Sequence, residues 1–342
     1  MNTRCERKAM DRATDGVQFK SYPVPLEQVT AYSREHSRPA AVKGQYGTRI
    51  FIRILLLFAQ SLSWKGAYRL GTGIGKLMYW LKLRRKTAII NMDIAYGEKK
   101  SPAEKERIYK ESMINLGRVV INYLRLPFMG PSFWEEKCDW KNEHLLKDAL
   151  NRRKGALLLA GHYGMMDLAG GKLGLCGYPV AVVGKNIKNP AIDRFVVQAR
   201  NAMNLGTIHP KDSMERIIAG IERGEAVAMA VDQNMKKKYG IFLNWMGRPA
   251  SSVRSAAYVA RETGTPVVMG YLHQKGVERF ELVVTEEIEW QSFPDEPEKE
   301  LAINAQVQSD AFQRIIFDRP ELWFWIHRRW KHQPEGVPNP YK

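Results

Sequence analysis

The chain has 342 residues, 44% of them hydrophobic, enough for one large domain or two ordinary ones, which excludes a wholly disordered or fibrous polypeptide. No uncharged apolar run reaches the roughly 18 residues of a spanning helix, which excludes a multi-span membrane protein. With 53 Lys and Arg against 36 Asp and Glu, the formal charge is +17, and such an excess calls for an anionic partner.

Residues 1–46 are polar, carry Ser, Pro and mixed charges, and read as a mobile extension without the apolar stretch of a cleavable signal peptide. Cys5, Cys138 and Cys176 are odd in number and far apart, which fits a reducing compartment rather than a disulfide framework. Residues 47–86 read as a basic, apolar, membrane-associating segment. Between Glu35 and Asp93 there is no acidic residue, whereas Arg49, Arg53, Lys65, Arg69, Lys76, Lys82, Arg84, Arg85 and Lys86 are all basic. The same stretch holds the greasy run Ile50–Ala59 and has Trp64, Tyr79 and Trp80 at its margins. A nucleic-acid-binding arm would be basic and polar and would carry a recognisable module; neither is present. Basic and apolar together suit a helix in an anionic membrane interface. Gly71-Thr-Gly-Ile-Gly75 lacks the dinucleotide spacing and is expected to let two helices approach closely.

Residues 87–342 form the expected catalytic domain. Ser101-Pro102 followed by Glu104 and Glu106 starts a helix, with the apolar stripe Ile108, Met113, Leu116, Val119, Val120 and Tyr123. A second helix is expected over 143–152. From Gly155 short apolar runs at 156–160, 180–183, 226–231 and 266–269 alternate with helix-like stretches at about 190–203, 211–223 and 252–263. The pattern predicts an α/β fold, a mixed and largely parallel sheet flanked by helices. Sites in such folds form outside the carboxyl ends of strands, where His162 and Asp232 both stand.

His162 and Asp167 are five residues apart. On a regular helix that spacing turns through roughly 500°, leaving the side chains well apart. They meet only on a strand-to-helix turn, which Gly161 and Gly164 permit, and Asp167 would then hold one imidazole nitrogen and leave the other as a general base. His273 and Glu278 have the same spacing, but Lys275-Gly276 between two apolar runs reads as a hairpin turn, so that pair is set aside. There is no HxxxH or HExxH metal pair, no phosphate-binding GxxxxGK[ST] loop and no G-x-S-x-G elbow, so no metal or cofactor is expected.

Seven blocks in order carry a family resemblance: Arg84–Asn91, Asn115-Leu-Gly117, Gly161-His162 with Asp167, Asn189-Pro190 with Arg200, Asp232-Gln233, Met246–Ala250 and Trp325–Lys331. They span about residues 50–335, and the chain resembles the bacterial lipid A biosynthesis acyltransferases, the lauroyl/myristoyl transferases of the lysophospholipid acyltransferase group. Met166-Asp167 stands where members mostly carry Trp-Glu. The resemblance implies a glycerol-3-phosphate acyltransferase-like fold with an N-terminal membrane-associating helix. It implies transfer of a fatty acyl chain from acyl carrier protein, or acyl-CoA, to a hydroxyl of a membrane glycolipid at the cytoplasmic face of the bacterial inner membrane. It makes His162 the base and Asp167 its orienting acid, and Arg200 and Asp232 match two further positions the family uses in catalysis or substrate binding; Lys185, Gln233 and Arg248 are expected to bind substrate. Arg200, Lys185 and backbone amides around Gly161–Gly164 are the candidate oxyanion donors. Another acceptor, a glycerophospholipid, an aminolipid or a glycosylated inositol lipid, would use the same chemistry.

Overall fold

Ser101 caps the longest helix through a reciprocal capping box with Glu104, and Pro102 follows at its first position, as the sequence predicts. The structure, a computed structural model, describes residues 46–152, 154–184, 187–209 and 213–342. Tyr46 apart, the expected extension over 1–46 lies outside the described residues, as does Lys185.

Helices come first: α1 (Tyr46–Ser61), α2 (Trp64–Trp80), α3 (Arg85–Tyr96), α4 (Pro102–Arg125) and the short α5 (Pro131–Lys137). Strands and helices then alternate: β1 (Cys138–Lys141), α6 (Glu143–Asn151), β2 (Ala156–Ala160), α7 (Met166–Leu175), β3 (Val180–Val183), α8 (Pro190–Asn201), β4 (Leu205–Ile208), α9 (Ser213–Glu222) and β5 (Ala226–Ala230). A hairpin of β6 (Ile241–Trp245) and β7 (Arg248–Ser252) leads to α10 (Ser255–Thr263), β8 (Val267–Gln274), β9 (Phe280–Ile288) and α11 (Pro297–Asp318). The fold is therefore the mixed α/β arrangement expected. Its seven-stranded sheet has the order β1-β9-β8-β2-β5-β3-β4, and every pairing is parallel except β8 with β9.

The sheet is covered on both faces, as a largely parallel sheet must be. Buried residues of α3, α9, α10 and α11 form one apolar cluster, and those of α6, α7 and α8 form another. The glycine run does what its composition predicts. A Cβ at Gly71 would lie 2.8 Å from Arg118 Cα, and one at Gly117 would lie 2.5 Å from the Gly75 nitrogen, so α2 and α4 meet backbone to backbone. Arg125 at the end of α4 donates to the Ala59 and Leu62 carbonyls at 2.8 and 2.6 Å, and its guanidinium stacks on Trp64 at 4.2 Å, anchoring the end of α1. No described helix is long and apolar enough to cross a membrane.

Candidate active site

The register of the two central strands builds the site. β2 and β5 are parallel neighbours with Ala160 opposite Ala230. Two residues further on, His162 and Asp232 therefore leave the sheet side by side at its carboxyl end. Asp232 is 3% exposed and accepts three hydrogen bonds. Its Oδ1 takes the His162 Nδ1–H at 3.0 Å, and its Oδ2 takes the His162 backbone N–H and the Trp323 Nε1–H, both at 3.0 Å. Burial raises the Asp232 pKa, but the charge and hydrogen bonds of His162 and the bond from Trp323 outweigh it, and the carboxyl stays below its usual range. Burial likewise lowers the His162 pKa, yet Asp232 and, more weakly, Asp167 leave the imidazole above its ordinary value. An ionised carboxylate only accepts hydrogen bonds, so Nδ1 carries the proton and Nε2 of the neutral ring presents its lone pair. Gln233 Nε2 lies 3.0 Å from that Nε2.

The geometry corrects one expectation. Asp167 does not orient His162: it sits in the first turn of α7, and its Oδ1 accepts from Arg200 Nε at 2.9 Å and Nη2 at 2.8 Å. The strand-to-helix turn forms as predicted, with Gly164 at φ +59°, but it turns the carboxylate toward α8 and leaves Nδ1 to the neighbouring strand. Both members of the Asp167–Arg200 pair are largely buried. Tyr123 of α4 lies against them, its phenol pushed up first by burial and then by the Asp167 charge.

His162 retains 37% of its side-chain surface and opens on a hollow of about 190 Å³ whose walls include Asn115, Leu116, Val119 and Tyr123 of α4 with Trp323 and Phe324. Four amides along this turn, from His162 to Met165, are already engaged. His162 N–H goes to Asp232, Tyr163 N–H to the Gly161 carbonyl at 2.7 Å, Gly164 N–H to Leu322 at 2.9 Å and Met165 N–H to Leu272 at 2.8 Å. Arg248 donates to the Pro338 carbonyl at 2.5 Å and does not join the cluster. His273, set aside on sequence grounds, is indeed near a hairpin turn, paired across β8 and β9 with Glu281 at 3.1 Å. In the Trp325–Lys331 block, Trp325, Arg329 and Trp330 are fully buried core residues, while Arg328 and Lys331 are exposed. Sequence reasoning missed Trp323 and Tyr123 as members of the site; no spacing signal marks either.

A buried carboxylate that fixes an imidazole, with the second nitrogen open to a lined hollow, is the equipment of an enzyme that activates a hydroxyl or water for group transfer. Residues 35–332 match the family model described as bacterial lipid A biosynthesis acyltransferase; the chain belongs to this family and is an acyltransferase. It is 25% identical over 275 residues to the lipid A biosynthesis palmitoleoyltransferase of Escherichia coli K12, covering 80% of this chain and 87% of the relative. It is 25% identical over 306 residues to the lipid A biosynthesis lauroyltransferase of the same organism, covering 86% of this chain and 94% of that one.

Proposed function

We propose that this chain transfers a fatty acyl group from a thioester, carried by acyl carrier protein, to a hydroxyl of a lipid A precursor on the cytoplasmic face of the inner membrane. His162 Nε2 takes the hydroxyl proton as the oxygen attacks the thioester carbonyl carbon. The tetrahedral intermediate then expels the thiolate, which recovers that proton from Nε2. The observation that carries the reading is the Asp232–His162 pair, which fixes the tautomer with Nε2 free of hydrogen. Asp167 and Arg200 hold the adjoining wall as an ion pair.

The membrane side of the reading rests on exposed apolar residues. Ile50, Phe51, Ile54, Leu57 and Phe58 of α1 are exposed at helical spacing, and Trp80 and Leu81 at the end of α2 are exposed too. A soluble surface rarely gathers so many, and the acid-free basic residues of 47–86 complement an anionic leaflet. This segment would lie on the membrane with residues 87–342 as the catalytic body above it. The test uses labelled acyl carrier protein, a lipid A precursor in vesicles, and mass spectrometry of the product lipid. The parent transfers and a folded His162→Ala variant loses at least about a hundredfold, the usual reach of a positioned base. Parent activity that survives the substitution would refute the base, and transfer only to another membrane lipid would refute the acceptor.

A further inference from the structure

Resting on the acyl-transfer reading, we propose that Gln233 is a catalytic residue with two successive partners: its side-chain amide caps the lone pair of His162 Nε2 in the free enzyme and then donates to the oxyanion of the tetrahedral intermediate. The geometry supplies the first partner, a 3.0 Å contact between Gln233 Nε2 and His162 Nε2. With the Nδ1 proton committed to Asp232, Nε2 is an acceptor, and the amide NH₂ is the group that faces it.

The second partner follows from the position of Gln233 beside Nε2, where several neighbouring donors are already engaged. The four amides from His162 to Met165 are bonded within the protein. Arg200 is engaged on Asp167 by two nitrogens. Among the described residues, Gln233 is the side-chain amide in contact with the nitrogen that receives the proton. An acceptor hydroxyl that bonds to Nε2 must displace it, and the displaced NH₂ stays within hydrogen-bond reach of whatever reacts beside that nitrogen.

Protonation of the base keeps the displaced amide off Nε2. When Nε2 takes the hydroxyl proton it becomes a donor, and an NH₂ can no longer bond to it. At that moment the new carbon–oxygen bond has formed and the carbonyl π pair has moved onto oxygen, giving an anion that accepts the N–H. Collapse of the intermediate breaks the carbon–sulfur bond, the thiolate leaves with the proton from Nε2, and the neutral nitrogen is again an acceptor for Gln233. The amide thus favours the neutral base before transfer and the anion during it.

Two measurements test both halves. In the vesicle assay, Gln233→Ala lowers kcat roughly 10²- to 10³-fold, as loss of one oxyanion donor does, with the donor KM little changed. Gln233→Glu, nearly the same shape, falls further, because a carboxylate holds the imidazolium and repels the oxyanion; a merely structural role would make Glu the milder change. Carbethoxylation of His162 by diethyl pyrocarbonate, followed by peptide mass spectrometry, reads the cap without any turnover. The Ala variant reacts roughly two- to tenfold faster, the reach of one ordinary hydrogen bond. An active parent whose Gln233→Ala variant keeps kcat within threefold overturns the oxyanion role alone. An unchanged carbethoxylation rate overturns the cap. A parent without transfer to any membrane lipid overturns the acyl-transfer reading and the oxyanion role with it.

Discussion

Asp232→Asn isolates the carboxylate from the shape of its side chain, and the three hydrogen bonds predict the result. Asp232 Oδ2 serves two donors, the His162 backbone N–H and Trp323 Nε1–H, while Oδ1 serves one, the His162 Nδ1–H. An asparagine has a single oxygen. Turned toward Nδ1, it would leave two buried N–H groups facing an NH₂, at about 1–3 kcal/mol each. Turned the other way it satisfies both and presents its NH₂ to Nδ1, which must then give up its proton and accept. The second orientation strands fewer donors and is expected to win. The imidazole is then forced into the tautomer with hydrogen on Nε2, which is no base. Transfer should fall by about 10³-fold or more, near 4 kcal/mol at 1.4 kcal/mol per tenfold, in a protein that remains folded. The pH profile gives a second reading. The parent needs neutral His162, whose pKa lies above the ordinary imidazole value, so its activity rises with pH through a midpoint above about 6.5. Without the Asp232 charge that midpoint moves to lower pH. Transfer by a folded Asp232→Asn variant within tenfold of the parent, with the midpoint unmoved, would refute the assignment.

Asp167→Asn leaves the Arg200 guanidinium, only 10% exposed, without its counter-charge. It should cost about 3–5 kcal/mol in chemical unfolding, and a stability change below 1 kcal/mol would count against a structural ion pair. Phe51→Glu with Leu57→Glu removes two side chains from the exposed face of α1. At roughly 1.5–3 kcal/mol each the pair should weaken cosedimentation with anionic vesicles at least about a hundredfold, while unchanged cosedimentation would place the docking surface elsewhere.

What was legible in the sequence follows the range of the forces involved. The Ser101 capping box, the strand at 156–160 and the turn at Gly161–Gly164 depend on neighbours within a few residues, and all appear where the pattern puts them. The glycines of α2 were readable too, because absence of side chains has few purposes inside a helix. The partner of His162 was not. A five-residue spacing says which acid is near in the chain, whereas the acid at Nδ1 is 70 residues away and arrives through the β2–β5 register. Both residues were recognisable as strand-end groups; knowing that their strands are neighbours was the missing step. The short strands β1 and β4 and the hairpin β6–β7 were missed: at four or five residues each they match β2, β3 and β5 in length but lack the unbroken apolar runs that mark those three.

Trp323 points to a wider dependence of the site on the end of the chain. The loop after β5 that carries Asp232 and Gln233 leaves the sheet, and what holds it comes from about ninety residues later. His327 Nε2 accepts the Asn234 backbone N–H at 3.1 Å, the His332 backbone N–H donates to Asn234 Oδ1 at 3.0 Å, and Asn91 of α3 donates to the Trp325 and His327 carbonyls. His327 can accept only while neutral. Burial first, and then the positive charges of Arg329, His162 and Arg84, outweigh Asp232 and hold its pKa down at about 4. The two imidazoles are thereby moved apart, His162 upward beside its carboxylate and His327 downward among cations and apolar walls. His162 thus gains its proton more readily than an ordinary imidazole, while His327 stays neutral and keeps its lone pair on Asn234 above about pH 4. The bond from His327 to the loop therefore persists whether or not His162 is protonated, which suits a base that must return to the same position after every turnover.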